Sequence, residues 1–193
     1  MEINRIIVYS SIVMWLLPPF RQYRGKYFYF FLVLGLEGLS TQLFRYLNMD
    51  LYKVYDIVNI VVLLTLISVT SIKKYWYLFF ILLTIILLIN YTSDPKLETI
   101  GIILGHTFIF YIFLKNVAID YYRNDSLRTS FIILLLYEMT AILKFFFVYR
   151  NIHLGLTFFY LTTAFENFIA IFFTIYKVEE SPSIKLVLSP PKH

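Results

Sequence analysis

A chain of 193 residues that is 60% hydrophobic and only 15% charged cannot wrap a core in a wettable surface, since soluble domains carry about 25% charged residues. Its net charge of +5 does not mark a nucleic-acid binder, because the basic residues lie in short clusters between apolar runs, as membrane anchors do. Cysteine is absent, which excludes disulfides, thiolate metal sites and cysteine nucleophiles.

The composition predicts an all-α, polytopic transmembrane bundle of about seven helices, each needing roughly 20 apolar residues to cross. The first candidate, Ile3–Leu17, follows Glu2 and stops at Pro18-Pro19-Phe20-Arg21. It resembles a signal-peptide core, but the small residues of a cleavage site are missing, so it is read as a retained helix ended by its prolines. Tyr27–Leu47 follows, with Glu37 near its middle, then Leu51–Ile72 with Asp56. Tyr75–Asn90 is the fourth and, like the first, is short. Leu97–Tyr121 carries His106 and the run Gly101-Ile102-Ile103-Leu104-Gly105, whose small residues at a spacing of four let two helix backbones approach. Arg128–Tyr149 holds Glu138 and Lys144, and Leu154–Tyr176 holds Glu166 and Asn167.

The hinges are short: Asn48-Met49-Asp50, Lys73-Lys74, Thr92–Lys96, Arg123–Ser126 and Arg150–His153. They make successive helices antiparallel neighbours and leave no room for a soluble domain. Residues 1–177 are thus read as one helical membrane domain and 178–193 as a disordered cytoplasmic tail. Within that tail Ile184–Leu188 is the stretch suited to dock on a partner or the membrane.

Orientation follows from the basic residues. With the N-terminus outside, the inner side collects Arg21, Arg24, Lys26, Lys73, Lys74, Arg123, Arg128, Lys177, Lys185 and Lys192. The outer side receives Arg5, Arg45, Lys53, Lys96 and Arg150, and this excess of basic residues inside predicts N-out and C-in.

Ionisable groups inside a span cost about 2.5–3.5 kcal/mol each on insertion scales and so point to function. Glu37, Glu138 and Glu166 sit at mid-span with His106 at similar depth. Helical spacing gives Glu37 the company of Ser40 and Thr41, and Glu166 that of Thr162, Thr163 and Asn167. Two readings compete: a midplane site in which Glu37, His106, Glu138, Glu166 and Asn167 bind an ion or small ligand, or protonated glutamates that hydrogen-bond neighbouring helices. In the first reading the three glutamates share one interior cavity. Asp56 and Lys144, both about 8 Å below the outer surface by helix rise, are expected either to form an ion pair or to leave the lysine snorkelling outward. Carboxylates and one histidine at unrelated spacings are no metal signature, and neither a cofactor nor a catalytic set is expected.

Seven spans with N-out and C-in is the topology of rhodopsins and other seven-helix receptors. A rhodopsin attaches retinal to a lysine in the middle of its seventh helix. Here Glu166-Asn167 stand there and Lys177 lies at the helix end, so retinal is excluded. The architecture resembles the seven-helix sensory modules that precede signalling domains, with no motif to carry the likeness further.

Two function classes follow. One is a receptor-like or partner-coupled signalling or effector module that binds a small apolar or weakly polar ligand in an intramembrane pocket lined by the abundant Phe and Tyr. The other is a proton- or cation-coupled carrier or channel using the midplane glutamates. An intramembrane enzyme comes third. The expected partners are the lipid bilayer and a protein met on the cytoplasmic side or through the tail, with no nucleic acid, and the expected location is a bacterial cytoplasmic membrane.

Overall fold

The computed structural model describes residues 2–48, 50–69, 77, 80–81, 83–85, 88, 94–152 and 155–185. Most of the expected fourth span, the Lys73-Lys74 hinge, His153 and the chain after Lys185 lie outside these. Among the described residues the chain is all-helical apart from two three-residue strands. The order is α1 (Glu2–Trp15), α2 (Pro18–Gln22), α3 (Phe28–Tyr46), α4 (Leu51–Val69), α5 (Pro95–Asn124), β1 (Ser126–Arg128), α6 (Thr129–Tyr149), α7 (Gly155–Ile175) and β2 (Ser183–Lys185). Three of the helices, α5, α6 and α7, are long and apolar enough to cross a membrane.

Local chemistry sets the helix ends. Pro18 and Pro19 cannot donate backbone hydrogen bonds, so α1 stops at Trp15 and the prolines open the short α2 instead. Asn48 (φ 55°) and Asn151 (φ 54°) take the left-handed conformation that ends α3 and α6. Before α5, the Asp94 side chain accepts from Lys96 N at 2.9 Å and Pro95 fills the first helical position. That helix ends at Asp125 (φ 47°) and has 30 residues. At about 1.5 Å per residue it is about 45 Å long, against a hydrocarbon core of about 30 Å, so it outlasts the span expected from sequence. At its far end Asp120 meets Arg128 at 3.3 Å.

The described helices close a ring: α1 packs on α3 and α7, and the chain of neighbours runs from α3 through α4, α5 and α6 to α7. Glycines permit the closest approach. A Cβ on Gly35 would lie 2.7 Å from the backbone oxygen of Trp15, and one on Gly38 would lie 2.9 Å from Ile12 Cγ1, so α1 rests directly on the α3 backbone. Gly105 serves the bundle in the same way: a Cβ there would lie 3.2 Å from the Asn59 side chain on α4.

One half of the ring's interior is filled by aromatic rings. Phe30 stands edge-on to Phe113 at 5.6 Å, and Phe31 lies 4.7 Å from Phe173; all four are fully buried.

Residues 178–185 depart from the expected disordered tail. They are built into this same end of the bundle. Gln22, fully buried, donates from Nε2 to the carbonyls of Phe173 (3.0 Å) and Tyr176 (2.9 Å) and accepts from Val178 N at 3.2 Å. Ser130 Oγ donates to Val178 O, Ser181 Oγ donates to Ser130 Oγ, and Thr129 N donates to Pro182 O. Ser183–Lys185 then pairs antiparallel with Ser126–Arg128, with Ile184 opposite Leu127. Polar side chains that hold the otherwise orphaned carbonyls of a helix end keep this segment in place.

Candidate ligand cavity

Along α3, residues three and four apart share a face. Phe30, Leu34, Glu37, Thr41 and Arg45 form such a stripe; the first two are buried in the core and the last three line a cavity of about 280 Å³, with Leu34 at its floor. The facing helices repeat the arrangement. On α7, Phe173 and Ala170 are buried, and Glu166, Thr163 and Phe159 line the cavity. On α6, Leu134 is buried while Tyr137 and Lys144 line it. Val8, Ser11, Ile12 and Trp15 of α1 form one wall, and α4 supplies Tyr55. Along each of these helices the buried apolar residues give way to residues that line the cavity, charged ones among them, so the aromatic packing is followed by a hollow.

Charges of both signs meet in this cavity. Lys144 Nζ lies 2.5 Å from Glu166 Oε1, a partly buried ion pair between α6 and α7. Glu37 faces the same space, and among the described residues no side chain hydrogen-bonds its carboxyl. It lies within electrostatic range of His106, Glu166, Glu138 and Lys144. Behind the cavity, His106 Nδ1 is 2.7 Å from Glu138 Oε2 in a contact between α5 and α6, with Glu138 only 1% exposed. The imidazole stacks on Phe145 at 5.7 Å, and Tyr55 meets the same ring edge-on at 5.6 Å. Phe145 thus links the imidazole to the cavity-lining Tyr55. Trp15 lies 5.1 Å from Tyr137 and fixes the wall contributed by α1.

Of the residues singled out in the sequence, Glu37 and Glu166 share the cavity. Glu138 and His106 are paired with each other behind it, and Asn167 is half-buried on α7 outside the lining. The structure does not bring Asp56 and Lys144 together as an ion pair: the lysine pairs with Glu166, one helix on, while Asp56 is fully buried on α4. Equal depth allowed the Asp56–Lys144 pairing, but the rotation of α6 aims Lys144 at α7. Sequence reasoning missed Arg45, Tyr55 and Tyr137 as lining residues. Their signal was present: Arg45 continues the Glu37–Thr41 stripe, and Tyr137 lies seven residues before Lys144, on the same helix face.

Three helices able to cross a bilayer, in a bundle with a half-open cavity that carries charged side chains among apolar ones, mark a helical membrane protein. The sequence matches no protein-family model, and neither curated proteins nor solved structures give a significant match.

Proposed function

We propose that this chain is a receptor-like membrane module whose cavity binds a small polar ligand carrying a cationic group, with Glu37 as the anchoring carboxylate. The observation that carries the reading is the contrast between two cavity carboxylates: Glu166 already holds Lys144 at 2.5 Å, whereas Glu37 is offered to the space without a hydrogen-bonded partner among the described residues. A carboxylate in a low-dielectric setting gains most from a cation brought to it. The volume falls just below the range typical of drug-sized ligand sites, about 300–1,000 Å³, which favours a small amine or zwitterion. Arg45 and Lys144 would take the acidic end of a zwitterion.

The rest of the architecture joins this proposal: about seven spans, N-out and C-in, in a bacterial cytoplasmic membrane. Support for the orientation comes from the basic bias, with Arg21, Arg128 and Lys177 gathered where the chain folds back and Lys96 and Arg150 together at the opposite end. The cavity then occupies the outer half. Coupling to a partner is favoured by α7, which carries Glu166 at the cavity and has its last carbonyls clamped by Gln22 at the cytoplasmic end.

The test uses purified protein in nanodiscs, followed by melting in the presence of ethylamine, ethanolamine, glycine or sodium. A saturable upward shift with the amines, lost in Glu37→Gln, is the expected result. No shift with any amine, or a shift that survives Glu37→Gln, overturns the reading.

A second reading, a proton- or cation-coupled carrier, is favoured by the placement of Glu37 within electrostatic range of both the Lys144–Glu166 pair and the His106–Glu138 pair. Proton- or sodium-driven flux into proteoliposomes, abolished by Glu37→Gln, would select it over the receptor reading.

A further inference from the structure

A second concavity lies on the outer surface of the bundle, away from the charged cavity. Pro18-Pro19 turns the chain out of the α1 axis; the elbow touches α3 at Gly35, where an added Cβ would lie 3.2 Å from Pro19 Cγ, and leaves a groove beside that contact. On α3, Phe28, Leu32 and Leu36 recur every four residues and form one wall. Leu16, Phe20 and Tyr23 form the other, around a groove of about 570 Å³ that no charged side chain lines. Phe20 is 79% and Leu36 47% exposed, so the groove opens outward, and it would face lipid with α3 in the bilayer as proposed above. From Phe28 to Leu36 the helix rises about 12 Å, close to the depth of one leaflet's hydrocarbon, about 15 Å. The groove thus spans most of the depth of one leaflet's hydrocarbon and starts where α3 starts.

At its mouth stands Arg24. Its backbone is left-handed (φ 62°), a conformation uncommon for a long side chain. The turn that imposes it is fixed on both sides: Gly25 N donates to Gln22 O at 2.8 Å, and Lys26 N donates to Glu179 Oε1 at 2.7 Å. The guanidinium lies over the ring of Tyr23, 5.5 Å from its centroid, and Tyr23 itself lines the groove. Nearby Arg21 is engaged with Glu180 at 3.2 Å, but Arg24 has no acidic partner among the described residues. An unpaired guanidinium held above an apolar slot matches a phosphodiester joined to an acyl chain, because its planar fork hydrogen-bonds phosphate oxygens two at a time.

We propose that this groove binds one acyl chain of an anionic phospholipid whose phosphate is held by Arg24. The anionic cytoplasmic leaflet is the one that N-out and C-in orientation presents to Arg24. The inference rests on the proposed membrane placement of α3 and the proposed N-out, C-in orientation, and is independent of what the interior cavity binds.

Full-length protein is reconstituted with phosphatidylglycerol or phosphatidylcholine of identical photoreactive acyl chains, and the labelled peptides are mapped. Phosphatidylglycerol should label the peptide containing Leu32 and Leu36 about fivefold more than phosphatidylcholine, the preference expected of one basic residue at the surface. Arg24→Gln, a change at an exposed residue, should remove the headgroup preference while leaving the melting temperature unchanged. Leu32→Trp should displace the label from the groove. Equal labelling by both lipids identifies ordinary surrounding lipid and overturns the proposal, as does a preference that survives Arg24→Gln. Labelling confined to other helices, with the α3 peptide untouched by either lipid, shows instead that another part of the protein fills the groove or that α3 is not in the bilayer; this too overturns it.

Discussion

Lys144 and Glu166 tie α6 to α7 through a 2.5 Å contact at the cavity wall, so the charge that the sixth helix carries into the bundle is neutralised by its neighbour in the chain. Lys144→Met and Glu166→Leu should each destabilise the protein by about 1–2 kcal/mol, because each leaves a polar group without its partner. The double variant should recover about 0.5–1.5 kcal/mol of the summed loss, the range measured for polar contacts between membrane helices. Reversible unfolding in mixed detergent micelles reads this directly. Strict additivity would show that the pair contributes nothing. Asp56→Asn combined with Lys144→Met should be additive.

The His106–Glu138 contact should depend on an acceptor at position 138 more than on its charge. Glu138→Gln keeps an oxygen for the ring N–H and should cost less than about 1 kcal/mol, whereas Glu138→Leu leaves the imidazole without its acceptor and should cost about 1–3 kcal/mol. The same unfolding measurement distinguishes them. If both variants melt alike, the hydrogen bond is not what holds α5 to α6 here.

Gln22 should be intolerant even of its closest charged relative. Gln22→Leu removes the hydrogen bonds to Phe173, Tyr176 and Val178 and should cost about 2–4 kcal/mol. Gln22→Glu keeps an acceptor for Val178 N, but a carboxylate cannot donate as the amide does to the carbonyls of Phe173 and Tyr176. This change should be nearly as damaging. Limited proteolysis should show the 176–185 segment cut faster in both variants, and an unchanged cleavage rate would refute the clamp.

Gly35 and Gly38 should respond differently to alanine. At Gly35 the new methyl meets the backbone oxygen of Trp15 at 2.7 Å, which yields only if α1 moves. At Gly38 it meets a side-chain carbon of Ile12, which can turn away. Gly35→Ala should therefore cost about 1–3 kcal/mol and Gly38→Ala distinctly less. Reversal of that order in a melting series would mean that α1 does not seat on α3 as described.

Orientation is open to a labelling test because the chain lacks cysteine. Ile152→Cys lies in the exposed turn after α6 and Ser183→Cys in the exposed strand β2. An impermeant maleimide applied to intact cells should label the first and spare the second. Labelling of Ser183→Cys alone would invert the orientation.

The sequence by itself determined that this chain is helical and at home in lipid, because too few charges remain to make a soluble surface. It also placed the helix ends, since Pro18-Pro19, Asn48, Asp94-Pro95 and Asn151 act on the backbone beside them. It marked Glu37 and Glu166 as interior residues, since a carboxylate at mid-span has nowhere else to go. Which groups meet was decided only by tertiary structure. In a soluble helix the buried face is apolar and the other polar, so rotation about the axis can be read off the pattern. In a membrane helix the lipid-facing and core-facing sides are both apolar, and the rotation that turns Lys144 toward Glu166 and Glu138 toward His106 leaves no such mark. The seat of α1 between α3 and α7 depends likewise on Gly35 and Gly38 meeting Trp15 and Ile12 across the bundle. The placement of residues 178–185 depends on Gln22, more than 150 residues earlier, whose amide meets the end of α7 only once the ring has closed.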